Sequence, residues 1–189
     1  MTPTFMLEFQ KTKIEGVFLI KPQVIGDQRG FFLETYREEE FLAAGIDVKF
    51  IQDNHSFSTE KGVLRGLHFQ KPPFTQAKLV RVIKGKVLDV VVDLRKFSPT
   101  FGQWQSFELS EDNFQMLFVP HGMAHGFCLV TENTHFVYKV DNYYNAQSDG
   151  GILWNDLDLK ITWPVENPII SEKDQRLPTW KEFLKDNPF

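Results

Sequence analysis

Apolar positions along this chain fall in short runs that alternate with polar ones. In Lys86–Leu94, Leu88, Val90, Val92 and Leu94 point one way and Val87, Asp89, Val91 and Asp93 the other. That period of two is the mark of a half-buried strand. With Lys78–Lys84 before it and Gly85 between, the run predicts a hairpin turning at Gly85. Similar β-branched and aromatic runs predict strands at Val17–Ile20, Gly30–Tyr36, Phe50–Phe57, Val63–Gln70, Gln103–Leu109, Phe114–Val119, Gly126–Val130 and His135–Tyr143. Helical spacing is scarce. It is confined to Arg37–Ala44, with Gly45 as the residue that ends it, and to Trp180–Lys185. Ser171-Glu-Lys-Asp174 reads as a capping-box-like helix start. Many short strands with turn signals between them predict an all-β sandwich or barrel with a few short helices, a jelly roll first among the versions. Repeats, low-complexity tracts and linkers are not evident, so one domain is expected over residues 1–189.

Composition narrows the classes. At 42% hydrophobic and 24% charged, the chain can bury a core. Its one cysteine, Cys128, excludes a disulfide framework and any multi-cysteine metal site. Met1–Lys11 lacks the pattern of a signal peptide, and apolar runs stay short of the ~18 residues that span a bilayer. A cytoplasmic protein without membrane contact is expected. The 19 phenylalanines point to a β-rich core, an interface or stacking pockets. Lys61–Lys96 carries nine cations against two acids, a net of +7 within a chain of net charge −4. A basic segment in an acidic chain suits a small anionic ligand better than nucleic acid, although solvated strand lysines would leave the same trace.

Two stretches carry chemistry. In Val63-Leu-Arg-Gly-Leu-His-Phe-Gln70, Arg65 and His68 would point to opposite faces of an ideal strand. A bulge at Gly66 would bring both into one cavity; otherwise His68 is a core histidine and Arg65 a surface cation. Pro120-His-Gly-Met-Ala-His125 has the P-x-G-x-x-H pattern of the second short motif of cupin jelly rolls. Metal-binding cupins also need a His-x-His pair with a downstream Glu, and neither accompanies His68, so no catalytic metal is expected. A neutral histidine can instead serve as a general base if a carboxylate orients it, an acid faces it and a cation receives the developing charge. Asp174, Tyr138 and Lys78 can fill those places. Each also has a plain structural reading, as a helix cap, a core aromatic and an exposed strand lysine.

Taken together, Asp27-Gln-Arg-Gly-Phe-Phe-Leu-Glu34, Gln52-Asp-Asn-His-Ser56, Val63–Gln70, Gln76-Ala-Lys-Leu-Val-Arg81, Ser98-Pro-Thr-Phe-Gly102, Ala124-His-Gly-Phe127, Tyr138-Lys139, Ile152-Leu-Trp-Asn-Asp156 and Ser171–Asp174 resemble the dTDP-4-dehydrorhamnose 3,5-epimerases, in order and over nearly the whole chain. The resemblance implies a metal-free, cofactor-free cupin-type jelly roll that forms a homodimer. It implies inversion of C3 and C5 of a dTDP-4-keto-6-deoxy sugar in the making of dTDP-L-rhamnose or a related deoxysugar. By the same resemblance His68 is the base, Asp174 its orienting partner, Tyr138 the acid and Lys78 the cation on the enolate. Arg65 and His125 hold the diphosphate. Arg29, Glu34, Gln52 and Asn54 contact the nucleotide, with Arg29 reaching a neighbouring subunit, and Asp149 and Lys173 add to substrate binding. The sequence departs from the family pattern at His121 and Met123, where Glu and Phe are frequent; a change at the rim of the site is expected. A single-centre epimerase would use the same residues, and a non-catalytic sugar-nucleotide binding module is the alternative from another class.

Overall fold

The computed structural model describes residues 6–189. The chain runs through strands β1 (Leu7–Lys11), β2 (Phe18–Pro22), β3 (Ile25–Asp27) and β4 (Gly30–Phe32) to a short helix, α1 (Glu38–Ala43). Then come β5 (Gln52–Ser58), β6 (Leu64–Gln70), β7 (Lys78–Lys84), β8 (Lys86–Asp93) and β9 (Trp104–Ser110). They are followed by β10 (Met116–Val119), β11 (Met123–Leu129), β12 (Thr134–Val140) and β13 (Asp149–Gly151). Helices α2 (Glu172–Gln175) and α3 (Trp180–Phe183) and a 3₁₀ turn at Leu184–Asp186 come last. One sheet has six strands in the order β1-β2-β10-β7-β12-β5 and a second has five in the order β13-β6-β11-β8-β9. The pairing within both is antiparallel. The two face each other as a cupin-type jelly roll, and β3–β4 forms a small separate hairpin.

Two expectations are corrected. Lys78–Leu94 is not a hairpin: β7 belongs to the six-stranded sheet and β8 to the five-stranded one, so the chain changes sheets at Gly85. One residue is too short for the two-residue loop of a tight hairpin. Gly85 takes a φ of +84°, and a Cβ there would lie 2.4 Å from Thr134 Oγ1, so the corner needs glycine. Nor is β8 half-buried. Val87 and Val91 face a cluster between the sheets with Phe107, Leu117, Phe127 and Phe136. Val90 and Val92 pack outward against Leu67, Phe69, Ile152 and Phe183, where the C-terminal segment covers the five-stranded sheet. Alternation therefore marks which sheet face a residue serves, not which face is wet.

The outer face of the six-stranded sheet is covered in part by α1, whose Phe41 meets Leu7, Ile20, Leu79, Met116 and Phe118. Gly45 follows α1 with a φ of +82°, as expected of its stop signal. Strand β4 ends at Phe32 rather than continuing to Tyr36. β1, β3 and β13 had no counterpart in the hydrophobic pattern. β13 is Asp-Gly-Gly, paired to Phe69 and His68 by backbone register alone.

Candidate active site

Between the sheets lies a cavity of about 600 Å³. Arg65, His68, His125 and Phe127 line it from the five-stranded sheet, and Lys78, Phe136 and Tyr138 from the six-stranded one. Segment 169–174 supplies Lys173 and Asp174. Arg65 and His68 share the cavity because β6 is bulged. His125 pairs with His68 and Phe127 with Arg65, so three steps on β6 oppose two on β11. Gly66, with φ +118°, is where the bulge sits, and a Cβ there would come within 2.5 Å of Gly126 Cα. Two glycines let the strands close at that point.

His68 Nε2–H donates to Asp174 Oδ1 at 2.7 Å, which leaves Nδ1 with its lone pair free. Asp174 arrives on α2, docked by a parallel bridge between Val63 and Ile169. Ser171 caps that helix by accepting from the Asp174 N–H at 3.1 Å. The box is half of one. The Asp174 carboxylate does not return to the cap but takes His68 and, through Oδ2, the Gly66 N–H at 3.3 Å. The segment thus both caps its helix and holds the His68 ring. Burial pushes the Asp174 carboxyl up, but His68, Gly66 and Ser171 together bring it below the usual carboxylate range. It stays anionic, as an orienting group must.

A second histidine–carboxylate pair lies beside the first. His125 Nε2–H donates to both oxygens of Asp89 at 2.9 Å, with Asp89 fully buried. Burial raises the Asp89 carboxyl against the pull of His125 and Lys78. Sequence reasoning missed Asp89; its signal was an acid on the inward face between Val87 and Val91. Burial pushes the Lys78 ammonium from 10.5 down to about 8, with Asp89 and Asp149 opposing the shift. Tyr138 is raised by burial, opposed by Arg65, so it holds its proton. Arg65 also donates to Ser58 Oγ at 3.1 Å. Lys173 pairs with Asp149, which accepts from the Tyr144 hydroxyl at 3.2 Å and holds the Lys173 ammonium above its usual range.

Five expected residues do not line this cavity: Asp149, which meets it through Lys173, and four that stand further off. Arg29 is 85% exposed on the β3–β4 hairpin and paired with Asp27. Glu34 accepts from Arg37 at 2.7 Å, while its Oε2 is buried without a hydrogen-bond partner. Gln52 donates to Asn54 at 2.8 Å. Asn54 lines a second cavity of about 390 Å³ that also touches Tyr138. Of the nine cations in Lys61–Lys96, Arg65 and Lys78 line this cavity. Others are used elsewhere: Arg95 holds Asp93 and Lys86 meets Glu108. Arg81 lines the second cavity beside Asn54, so the +7 segment is divided between cavity walls and pairs elsewhere. Met123 is buried in the inter-sheet cluster and His121 is bonded to Asp141, so neither lines the cavity rim. Among the described residues, no three His, Cys, Asp or Glu side chains converge as a metal-ligand set.

Comparison with known proteins follows the same residues. The family model described as dTDP-4-dehydrorhamnose 3,5-epimerase matches residues 11–182. The dTDP-4-dehydrorhamnose 3,5-epimerase of Shigella flexneri is 52% identical over 165 residues, 87% of this chain and 91% of the relative. The Bacillus anthracis enzyme of that name, solved with TDP and PPi bound, superimposes with a TM-score of 0.90 at 49% identity, covering 92% of this chain and 99% of the other. The dTDP-6-deoxy-D-glucose-3,5-epimerase of Legionella pneumophila, in complex with dTDP-4-keto-L-rhamnose, superimposes at 0.87 with 41% identity and 92% coverage of both chains. With a match along almost its full length in both sequence and fold, the chain belongs to the dTDP-4-dehydrorhamnose 3,5-epimerase family.

Proposed function

We propose that the protein inverts C3 and C5 of dTDP-4-dehydro-6-deoxy-D-glucose to give dTDP-4-dehydro-L-rhamnose, using its own side chains as acid and base. The observation that carries this reading is that His68 and Tyr138 stand on opposite sheets of one cavity. Both carbons flank the C4 ketone, so loss of either proton gives an enolate delocalised onto one oxygen. Inversion then needs a base on one face and an acid on the other. His68 Nδ1 takes the proton, and Asp174 steadies the imidazolium that forms. Tyr138 returns a proton from the opposite wall. Lys78, largely cationic at neutral pH, faces the enolate oxygen. General acid–base assistance of this kind contributes about 10²–10⁴-fold and an oxyanion donor about 10²–10³-fold. Arg65 and His125 hold the diphosphate, with Lys173 and Asp149 near the sugar.

Arg29, Glu34, Gln52 and Asn54 serve the nucleotide in a homodimer, with Arg29 delivered to the neighbouring subunit. Supporting this are the exposed Ile25, Phe31 and Phe32 on the β3–β4 hairpin, apolar surface that a second copy would cover. Sedimentation velocity of the purified protein tests it, and a monomer at working concentration would refute it.

Proton NMR with dTDP-4-keto-6-deoxyglucose in deuterated water tests the reaction. Deuterium should enter at C3 and C5. Label at one carbon alone would make the protein a single-centre epimerase, and label at neither would make it a binding module. His68→Asn should abolish exchange at both positions with dTDP affinity near normal; exchange that persists would name another base.

A further inference from the structure

Lys78 is the first residue of β7, and its backbone pairs with Val119 of β10 on one side and Val140 of β12 on the other. All three strands end there, and the residues just beyond are joined by one carboxylate. Asp141 Oδ1 accepts from the Ala77 N–H at 2.7 Å. Asp141 Oδ2 accepts from His121 Nε2–H, also at 2.7 Å. Ala77 is 1% exposed, so its N–H needs a partner, and it lies past the last pairing of the sheet. His121 belongs to the turn that leaves β10 and enters β11, four residues before His125. Asp141 itself follows Tyr138 by three. One side chain thus ties together the three segments that carry Lys78, Tyr138 and His125.

The Lys78 head group has little to fix it from its own side. Asp89 and Asp149 reach its ammonium as charges rather than through a hydrogen bond. Its place in the cavity is therefore set from the backbone end, where Ala77 is held. We infer that Asp141, locked by His121, is a positioning residue for the epimerisation. It fixes the start of β7, and so the reach of Lys78 to the enolate oxygen. The inference rests on the reaction proposed above, since the reach of Lys78 matters only if an enolate forms. His121 and Asp141 are also a matched pair: a carboxylate at position 121 would face Asp141 across the same short gap.

The test measures turnover and deuterium exchange with dTDP-4-keto-6-deoxyglucose, and dTDP affinity, for Asp141→Ala, Asp141→Asn, His121→Glu and the double variant H121E/D141N. Asp141→Ala should lower kcat about 10–100-fold, the cost of a small misplacement at a reacting centre, with dTDP affinity unchanged. Asp141→Asn should keep most of the activity, because its oxygen still accepts from Ala77 and its amide can donate to His121. His121→Glu should lower kcat in the same way, and H121E/D141N should recover it, the amide then donating to Glu. Wild-type kcat in Asp141→Ala with only a lowered Tm would reduce the carboxylate to a structural tie and overturn the inference. If Asp141→Ala does not fold, the contrast between His121→Glu and its double variant decides, and no recovery overturns it. A wild-type protein that exchanges no proton would instead overturn the proposed reaction.

Discussion

Replacing Lys78 by Met should make the protein more stable and nearly inactive. Methionine follows a similar apolar course without the charge. Burial moves the Lys78 ammonium from 10.5 to about 8. At about 1.4 kcal/mol for each tenfold change in proton affinity, this corresponds to about 3 kcal/mol held against the folded state. The figure already includes the attraction of Asp89 and Asp149, which oppose the shift. The sign follows from proton counting. Between about 8 and 10.5 the unfolded chain binds a proton at this lysine that the folded chain does not. Wild-type stability therefore gains from this group as pH rises through that window, and below it the penalty is present in full. Lys78→Met should then be more stable by up to about 3 kcal/mol at pH 7, a rise in Tm of roughly 5–10 °C for a chain of this size. The gap should close as pH approaches the ordinary lysine value. Urea unfolding of both proteins at pH 7 and near pH 10 measures it, and the exchange assay should show a loss of about 10²–10³-fold. A variant less stable than wild type at pH 7, or one with the same pH slope, would refute the reasoning.

Tyr138→Phe should impair completed inversion more than the first proton exchange, read from the label in recovered substrate against product; equal losses would give the hydroxyl a part in the first step. Gly66→Ala should lose more than about 2 kcal/mol in urea unfolding, because its new Cβ would meet Gly126 Cα at 2.5 Å, backbone against backbone; a fully stable and active alanine variant would show that the bulge can open at little cost.

Strands were legible where packing repeats with the strand period, as in Leu79-Val80 and Val90–Val92. They were not legible where pairing rests on backbone alone, as at Asp149–Gly151. Partners across sheets were illegible for a related reason: the pattern of Lys78–Leu94 is the same whether the chain folds back within a sheet or crosses between two. In the site, His68, Tyr138, Asp174 and Lys78 were readable through resemblance, and the Gly66 bulge through physical reasoning about Arg65 and His68. Asp89 was lost because an acid on a strand face looks solvated until the opposite sheet covers it. His121 was expected at the rim because it departs from the family pattern, but only the fold could show it facing Asp141.

The carboxylate that completes the His68 pair comes from 106 residues further along the chain, on a four-residue helix that follows a parallel bridge between Val63 and Ile169. On the roles proposed above, the groups that hold the diphosphate and the group that orients the base lie on different parts of the chain. Arg65, Lys78 and His125 belong to the two sheets, whereas the orienting group belongs to a strap laid over them. A protease cut between Trp163 and Ile169 would leave the downstream piece anchored on the five-stranded sheet through Trp180 and Phe183 while loosening the stretch that carries Asp174. The product of such a cut would be a protein that still captures the nucleotide sugar and returns it unchanged.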